Sequence, residues 1–298
     1  MKKCDVGGQA VIEGVMMRGR KGLAIAVRKD SREINIKFEE TIPVTKNHKG
    51  INIPFVRGIF VLMDSLKTGI KCLNYSSSLF DQTEPSKFEE WLREKFGDKT
   101  NDIAMALSIF LGLIMSIGIF LAFPLIISSL FEKSIKSSLI LNIIEAIIRV
   151  IVFILYILVI SKIEDMYRVF QYHGAEHKTI FCYEAEEKLT VENVKKFSRF
   201  HPRCGTNFLF LIMFVSIFVF SFTGWGGIIQ RILLRILLIP VVSGITYEII
   251  RWLGKSESKL SKLIAYPGLK FQKLTTKEPD DDQIEVAIKA LMAAEGID

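Results

Sequence analysis

The sequence predicts a membrane protein with about four transmembrane α-helices, a small β-rich cytosolic N-terminal domain of α+β type, and further cytosolic helices. Three observations predict it. Half of the 298 residues are hydrophobic, and they are bunched into runs long enough to cross a hydrocarbon core of about 30 Å as helices. Charged stretches separate those runs. Before the first of them lie roughly a hundred residues of short strand-like segments and charged amphipathic sequence.

The N-terminal part, 1–102, comes first. Met1-Lys2-Lys3-Cys4-Asp5 leads into Gly7-Gly8-Gln9 with no apolar stretch behind the lysines, so no secretory leader is expected. Val11, Val15 and Met17 alternate in part with small or polar residues. Ala24-Ile25-Ala26-Val27 and Ile34-Asn35-Ile36-Lys37-Phe38 read as strands, punctuated by Gly19, Gly22 and Lys29-Asp30-Ser31. An antiparallel sheet over 1–53 follows. Pro54 opens an amphipathic helix over 55–73. Its Arg57, Asp64, Lys67 and Lys71 are too many charges for a span and suit a membrane surface or a sheet face. Residues 74–86 read as a loop and 88–96 as a short charged helix.

The spans occupy 103–253. They are predicted at 103–130, kinked by Pro124, at 139–160, at 208–225, and at 228–253. Between the second and third lies a charged insert, 161–207, holding Lys162, Arg168, Lys178, Lys188, Lys195, Lys196, Arg199 and Arg203. The opposite connections hold only Lys133 and Lys136. The positive-inside rule therefore puts both termini and the insert in the cytosol of a multi-pass cell-membrane protein. Cys4, Cys72, Cys182 and Cys204 all fall on that side, where thiols stay reduced. The tail, 254–298, ends in Ile284, Ala287, Ile288, Leu291 and Met292 at helical spacing, predicting a terminal helix that packs on the cytosolic domain.

The net charge of +7 does not point to nucleic acid, because no long basic run with interleaved aromatics exists. In a membrane protein, excess Lys and Arg set topology and meet anionic lipid heads. Membrane lipids are thus the expected partners, and homo-oligomerisation is left open. Inside the spans, Glu145 and Arg149 are four apart and suit a mutual pair. Arg231 and Arg235 lie where snorkelling to the outer surface is the plain expectation.

Three of the four histidines, His173, His177 and His201, fall within 29 residues. In Tyr172-His173-Gly174-Ala175-Glu176-His177-Lys178 the two imidazoles are four apart, stacked on one helical face where one divalent ion can be gripped by both. Glu176 flanks them, and His-x-x-Glu-His is the inverted zincin pattern, in which the glutamate is a general base. Alone, the pattern equally fits a surface helix with two hydrogen-bonded histidines. His201-Pro202-Arg203-Cys204-Gly205-Thr206-Asn207 adds two further borderline-metal ligands on a shaped turn. Read blandly, it is a helix entry with Asn207 as N-cap and Cys204 buried. Clustering of ligand types favours the metal, with zinc first by donor type. Glu184 is seven residues past His177, about 10 Å along the axis, so it suits a neighbour such as Arg199 or Arg203, or a substrate. Cys182 is expected to pack. Glu13, inside Val11-Ile12-Glu13-Gly14-Val15, costs free energy unless it is paired, functional or on a solvated face. Arg18 is its natural partner.

Three blocks, Gly7–Gly19, Tyr172–Glu184 and His201–Phe208, make the chain similar to the YqhQ-like family of bacterial membrane proteins. The resemblance covers nearly the whole chain. It implies a metal-dependent enzyme, without naming its reaction, and implies that Glu13, His173, Glu176, His177, His201 and Cys204 belong together at one site. The leading expectation is a metal-dependent hydrolase at the cytosolic membrane surface. His173, His177 and one of His201 or Cys204 would hold the metal, and Glu176 or Glu13 would take the proton. Its location points to a lipid or membrane-peptide substrate. A scaffold with a closed structural metal site is the second reading. An oligomeric carrier or channel using the intramembrane charges is the third.

Overall fold

The computed structural model describes residues 6–29, 33–41, 53–80, 91, 94–97, 100–202, 204–223, 227–256 and 258–297. Cys4, Asp30, Ser31, Arg203 and most of the helix expected over 88–96 lie outside the described residues. The chain is mostly helical, with a small N-terminal sheet. Its contacts divide into two units: 1–80, 156–216 and 238–298 form one, and 81–155 with 217–237 form the other.

In the first unit, β1 (Gly7–Val11), β2 (Gly14–Arg18), β3 (Leu23–Arg28) and β4 (Ile34–Glu39) make an antiparallel meander in the order β1-β2-β3-β4. Val11 pairs with Gly14 across a two-residue turn, and Glu13 takes the left-handed φ of 49° there. The strands are apolar on both sides because both sides are covered. Val15, Met17, Ala24 and Ala26 face one core, shared with Tyr172, Ala175, Ile284 and Leu291. Met16, Leu23, Ile25 and Val27 face another, shared with Cys72. The expected alternation thus separates two cores rather than a core from water.

The helix that carries Cys72, α1 (Val56–Ser78), runs past its expected end. Ser76, Ser77 and Ser78, expected in a loop, stay helical. Their hydroxyls donate back to the carbonyls of Leu73, Asn74 and Tyr75, a local bond that lets serines sit in a helix.

Among the described residues, three helices are long and apolar enough to cross a membrane: Ile103–Ser129, Ser138–Ile160 and Ile228–Gly254. The first is α2 (Thr100–Ile117), a π-turn over Gly118–Ala122 and α3 (Phe123–Ser129); the second is α4 (Ser138–Ile160). The segment expected as the third span forms a helix over Gly205–Ser221, 17 residues and about 26 Å at 1.5 Å per residue, just under the hydrocarbon thickness. Where a kink is expected, the helix passes through a π-turn. Pro124 has no N–H to give to the carbonyl four residues back, which belongs to Phe120. Arg149 Nε on α4 donates to that carbonyl at 3.0 Å.

The order continues with α5 (Glu164–Glu184), α6 (Val191–Lys195), α7 (Gly205–Ser221), α8 (Ile228–Lys255), α9 (Lys259–Thr275) and α10 (Asp281–Glu295). The terminal helix α10 starts on an Asp280/Gln283 capping box and stops at left-handed Gly296, the usual devices for a sharply bounded helix. Its Ile284, Ala287, Leu291 and Ala294 lie in the core between sheet and α5.

Candidate metal centre

α5 brings the site together. Tyr172, Ala175 and Cys182 face its apolar core, and the histidines fall on the flank next to them. His173 and His177 are stacked edge to face with ring centroids 4.4 Å apart, as the i, i+4 spacing requires. The turn before α7 supplies the third group. Cys204 Sγ lies 3.1 Å from His173 Nε2. Ligand atoms of His173, His177 and Cys204 all lie within 4.8 Å of one another. Bond lengths of 2.0–2.3 Å would put tetrahedral zinc ligands about 3.5 Å apart, within the range the trio spans.

Each imidazole is oriented by a backbone carbonyl. His173 Nδ1 lies 2.9 Å from Thr275 O, and His177 Nδ1 lies 2.5 Å from Arg199 O. A carbonyl only accepts, so Nδ1 carries the hydrogen in both rings. In the neutral ring Nε2 is then a bare lone pair. Burial, with the neighbouring His173, holds the His177 pKa below the ordinary histidine value, so the ring is neutral near pH 7. His177 Nε2 is buried and has no hydrogen-bond partner among the described residues. The Cys204 sulfur is close enough to bear on its protonation without completing a bond. Sγ itself accepts from the Thr206 N–H at 3.3 Å. Two imidazoles, each oriented by a backbone carbonyl, and a sulfur thus converge, the donor set that a borderline metal such as zinc asks of its ligands.

His201 sits beside this trio. Its ring centroid is 5.7 Å from that of His177, and its Nε2 lies 3.5 Å from a Glu184 carboxylate oxygen. Burial pushes its pKa down to about 4. Gln272 clamps its backbone, accepting from the His201 N–H at 2.8 Å and donating to the His201 carbonyl at 2.7 Å. Glu184, expected to serve Arg199, Arg203 or a substrate, lies beside His201; Arg203 is outside the described residues.

Glu176 is buried, with Gly8 of β1 pressed so close to its side chain that a Cβ there would collide. Burial raises its pKa; His173, His201 and the Gly8 N–H pull the other way. Glu13 is held elsewhere. Its carboxylate is ion-paired to Arg168, not Arg18, and accepts from the Tyr172 hydroxyl at 3.2 Å. Arg18 pairs with Asp64 at 3.0 Å. Asn207 is inside α7 rather than its cap, and its side-chain amide donates to Pro202 O. Cys182 is fully buried in the core.

Sequence reasoning missed the supports. Thr275 O and Arg199 O are backbone atoms, so no residue type announces them. The crossing over α5 did leave a signal, Gly174. A Cβ there would run into the Lys277 carbonyl, because the strap from α9 to α10 passes directly over this position. The Lys277 N–H donates to Phe170 O at 2.8 Å.

The second unit holds another buried polar cluster. Glu145 is paired with both Arg149 and Arg235. Arg235 also donates to the Asn142 amide oxygen at 3.2 Å, and Asn142 Nδ2 donates to Phe220 O at 3.2 Å. Arg235 is thus turned inward, at 2 % exposure, instead of snorkelling. Arg231 lies 3.8 Å from Glu132.

A family model described as a protein of unknown function (DUF1385) matches residues 53–296. Uncharacterized protein YqhQ of Bacillus subtilis (strain 168) is 36% identical over 294 residues, covering 95% of this chain and 90% of that protein. No solved structure matches the chain.

Proposed function

The chain belongs to the DUF1385 family, whose members include YqhQ-like proteins, and from that premise we propose a membrane-bound, metal-dependent hydrolase. One observation carries it: two imidazoles fixed by backbone carbonyls bring ligand atoms within 4.8 Å of each other and of one thiol. His173, His177 and Cys204 would hold a divalent ion, zinc first by donor type. Such an ion would supply Lewis-acid polarisation of a bound substrate or water. The chain's own residues do the rest. Thr275 and Arg199 lock the ring tautomers. Glu176, whose pKa burial raises, would serve as the general acid or base. Gln272 fixes His201, and His201 holds Glu184 behind the site.

In this reading the protein is multi-pass with four spans, α7 being the short one. The basic insert puts the compact sheet unit and both termini in the cytosol. The substrate class is lipid or membrane peptide, on location alone. A second reading, a scaffold with a structural metal, is favoured by the burial of His177, Cys204 and Glu176 and by the nearness of the His201 ring. It predicts a closed four-ligand site.

Elemental analysis of the full chain purified without chelators tests the metal. Stoichiometric zinc or a related ion in wild type, absent from His177→Ala, is the expected result. Wild type without metal ends both metal readings. X-ray absorption then separates them. Three protein ligands plus an oxygen donor support the hydrolase, and four protein ligands support the scaffold.

A further inference from the structure

Helix α9 has two unlike faces. The inner face holds the site: Gln272 clamps His201, Thr275 O orients His173, and Gly268 is in close contact with Asn207. The outer face is exposed among the described residues. Leu260, Leu263 and Tyr266 are 57%, 69% and 54% exposed, spaced three apart along one side. Lys259, Lys262 and Lys270 are exposed beside them, and Lys270 Nζ lies over the Tyr266 ring at 5.3 Å.

Two further observations say what covers this face. First, α9 begins four residues after α8 ends. Since α8 includes one of the three helices apolar and long enough to span a membrane, α9 starts within a short reach of the bilayer boundary. Second, the same end of α8 carries another exposed apolar stripe. The start of α1 packs there, with Gly58 against Tyr247 and Arg57 paired to Glu248, and it leaves Phe55, Phe60 and Met63 uncovered at 39–61% exposure. In water such stripes would be an aggregation hazard. A basic amphipathic helix with leucines and a tyrosine on its apolar side is what lies in the headgroup layer of an anionic leaflet.

We propose that α9 is an interfacial helix whose outer face rests on the anionic bilayer surface crossed by α8. This rests on α8 spanning the membrane, part of the reading above, but not on the metal. Lysines reach the lipid phosphates while Leu260 and Leu263 enter the acyl boundary. The inner face then keeps the His/Cys site directly behind the membrane surface.

The test uses full-length chain in vesicles of phosphatidylcholine with and without phosphatidylglycerol. Fluorescence is read from Leu263→Trp and, as a water-facing control on α10, Lys289→Trp, each after subtraction of wild type. With phosphatidylglycerol, Leu263→Trp should be quenched by acyl-brominated lipid and be several-fold less sensitive to iodide than Lys289→Trp. Lys259→Gln with Lys262→Gln, or removal of phosphatidylglycerol, should erode that shielding. Equal iodide sensitivity at the two positions overturns the proposal. So does shielding without quenching by brominated lipid, which would mean a protein partner, and shielding indifferent to lipid charge. Hydrogen exchange over 259–267 in the unsubstituted chain reads the same contact if a variant fails to fold. Retention in vesicles through an alkaline wash reports the spans separately.

Discussion

Two of the polar clusters buried among the described residues differ in how their hydrogen bonds are arranged. Around Glu145 each charge is met by an opposite charge or a dipole: Arg149 and Arg235 on the carboxylate, Phe120 O on Arg149, Asn142 on Arg235. Around His173 and His177 both Nδ1 atoms are tied to backbone carbonyls, and His173 Nε2 lies 3.1 Å from the Cys204 sulfur. In the first cluster the charges meet one another, although Glu145 Oε2 and Arg235 Nε make no hydrogen bond among the described residues. In the second the imidazoles are oriented by backbone carbonyls beside a thiol, an arrangement that would suit a metal ion.

The largest expected effect breaks the first half of that contrast. Glu145→Leu strands two buried guanidinium groups and should cost about 3–5 kcal/mol in unfolding measured in detergent, with metal content unchanged. A loss below 1 kcal/mol, or a loss of metal, would mean that the two clusters are not separable in kind.

The second prediction sharpens the other half through pH. The pKa of His201 is depressed in the fold to about 4 from about 6.5 unfolded. Below pH 6.5 the unfolded chain therefore takes up a proton that the folded chain refuses, so stability falls as pH drops. Across that window the metal-free chain should lose about 3 kcal/mol, less in His201→Gln. Glu176 has the opposite sign. Its raised pKa keeps it protonated in the fold above the ordinary carboxyl value, which costs stability as pH rises from there. Glu176→Gln should remove that cost, and an unchanged alkaline limb would contradict the buried placement of this carboxyl.

Third, Gly174→Ala pushes the strap off α5 and shifts the carbonyl behind His173. Metal affinity should fall about tenfold, as for loss of an orienting partner, with about 1–3 kcal/mol of destabilisation from the clash. Full metal affinity in this variant would show that the imidazoles need no support from behind. The smallest effect is Tyr172→Phe. It removes one half-buried bond to Glu13 for about 0.5–1.5 kcal/mol, read by thermal unfolding, and should leave metal binding intact.

Much of this was legible in the sequence, and the rest was hidden for identifiable reasons. His173 and His177 announce themselves because helical period alone stacks them. Cys204 joins them only through a fold that crosses 31 residues, so residue type could suggest it but spacing could not. Either His201 or Cys204 could be expected as third ligand; the geometry brings in Cys204 and turns His201 to Glu184. Glu13 stands out as a carboxylate among apolar residues, yet its partner, Arg168, is 155 positions away. The strands at 24–27 and 34–38 follow from β-branched runs. The terminal helix is expected to pack on the cytosolic domain, but that it covers one sheet face while the 56–78 helix covers the other is set by long-range contacts that spacing does not reveal. Ser76–Ser78 misled because serine's preference for loops is overridden when its hydroxyl bonds the preceding turn.

The sheet unit draws on residues 6–28 and on 281–295 for the same core, and the tautomer of His173 is set by an oxygen 102 residues downstream. During synthesis neither can be satisfied until nearly the last residue has left the ribosome and every membrane helix has been placed. A chain shortened by even the final helix would reach the membrane with its first sheet bare on one side.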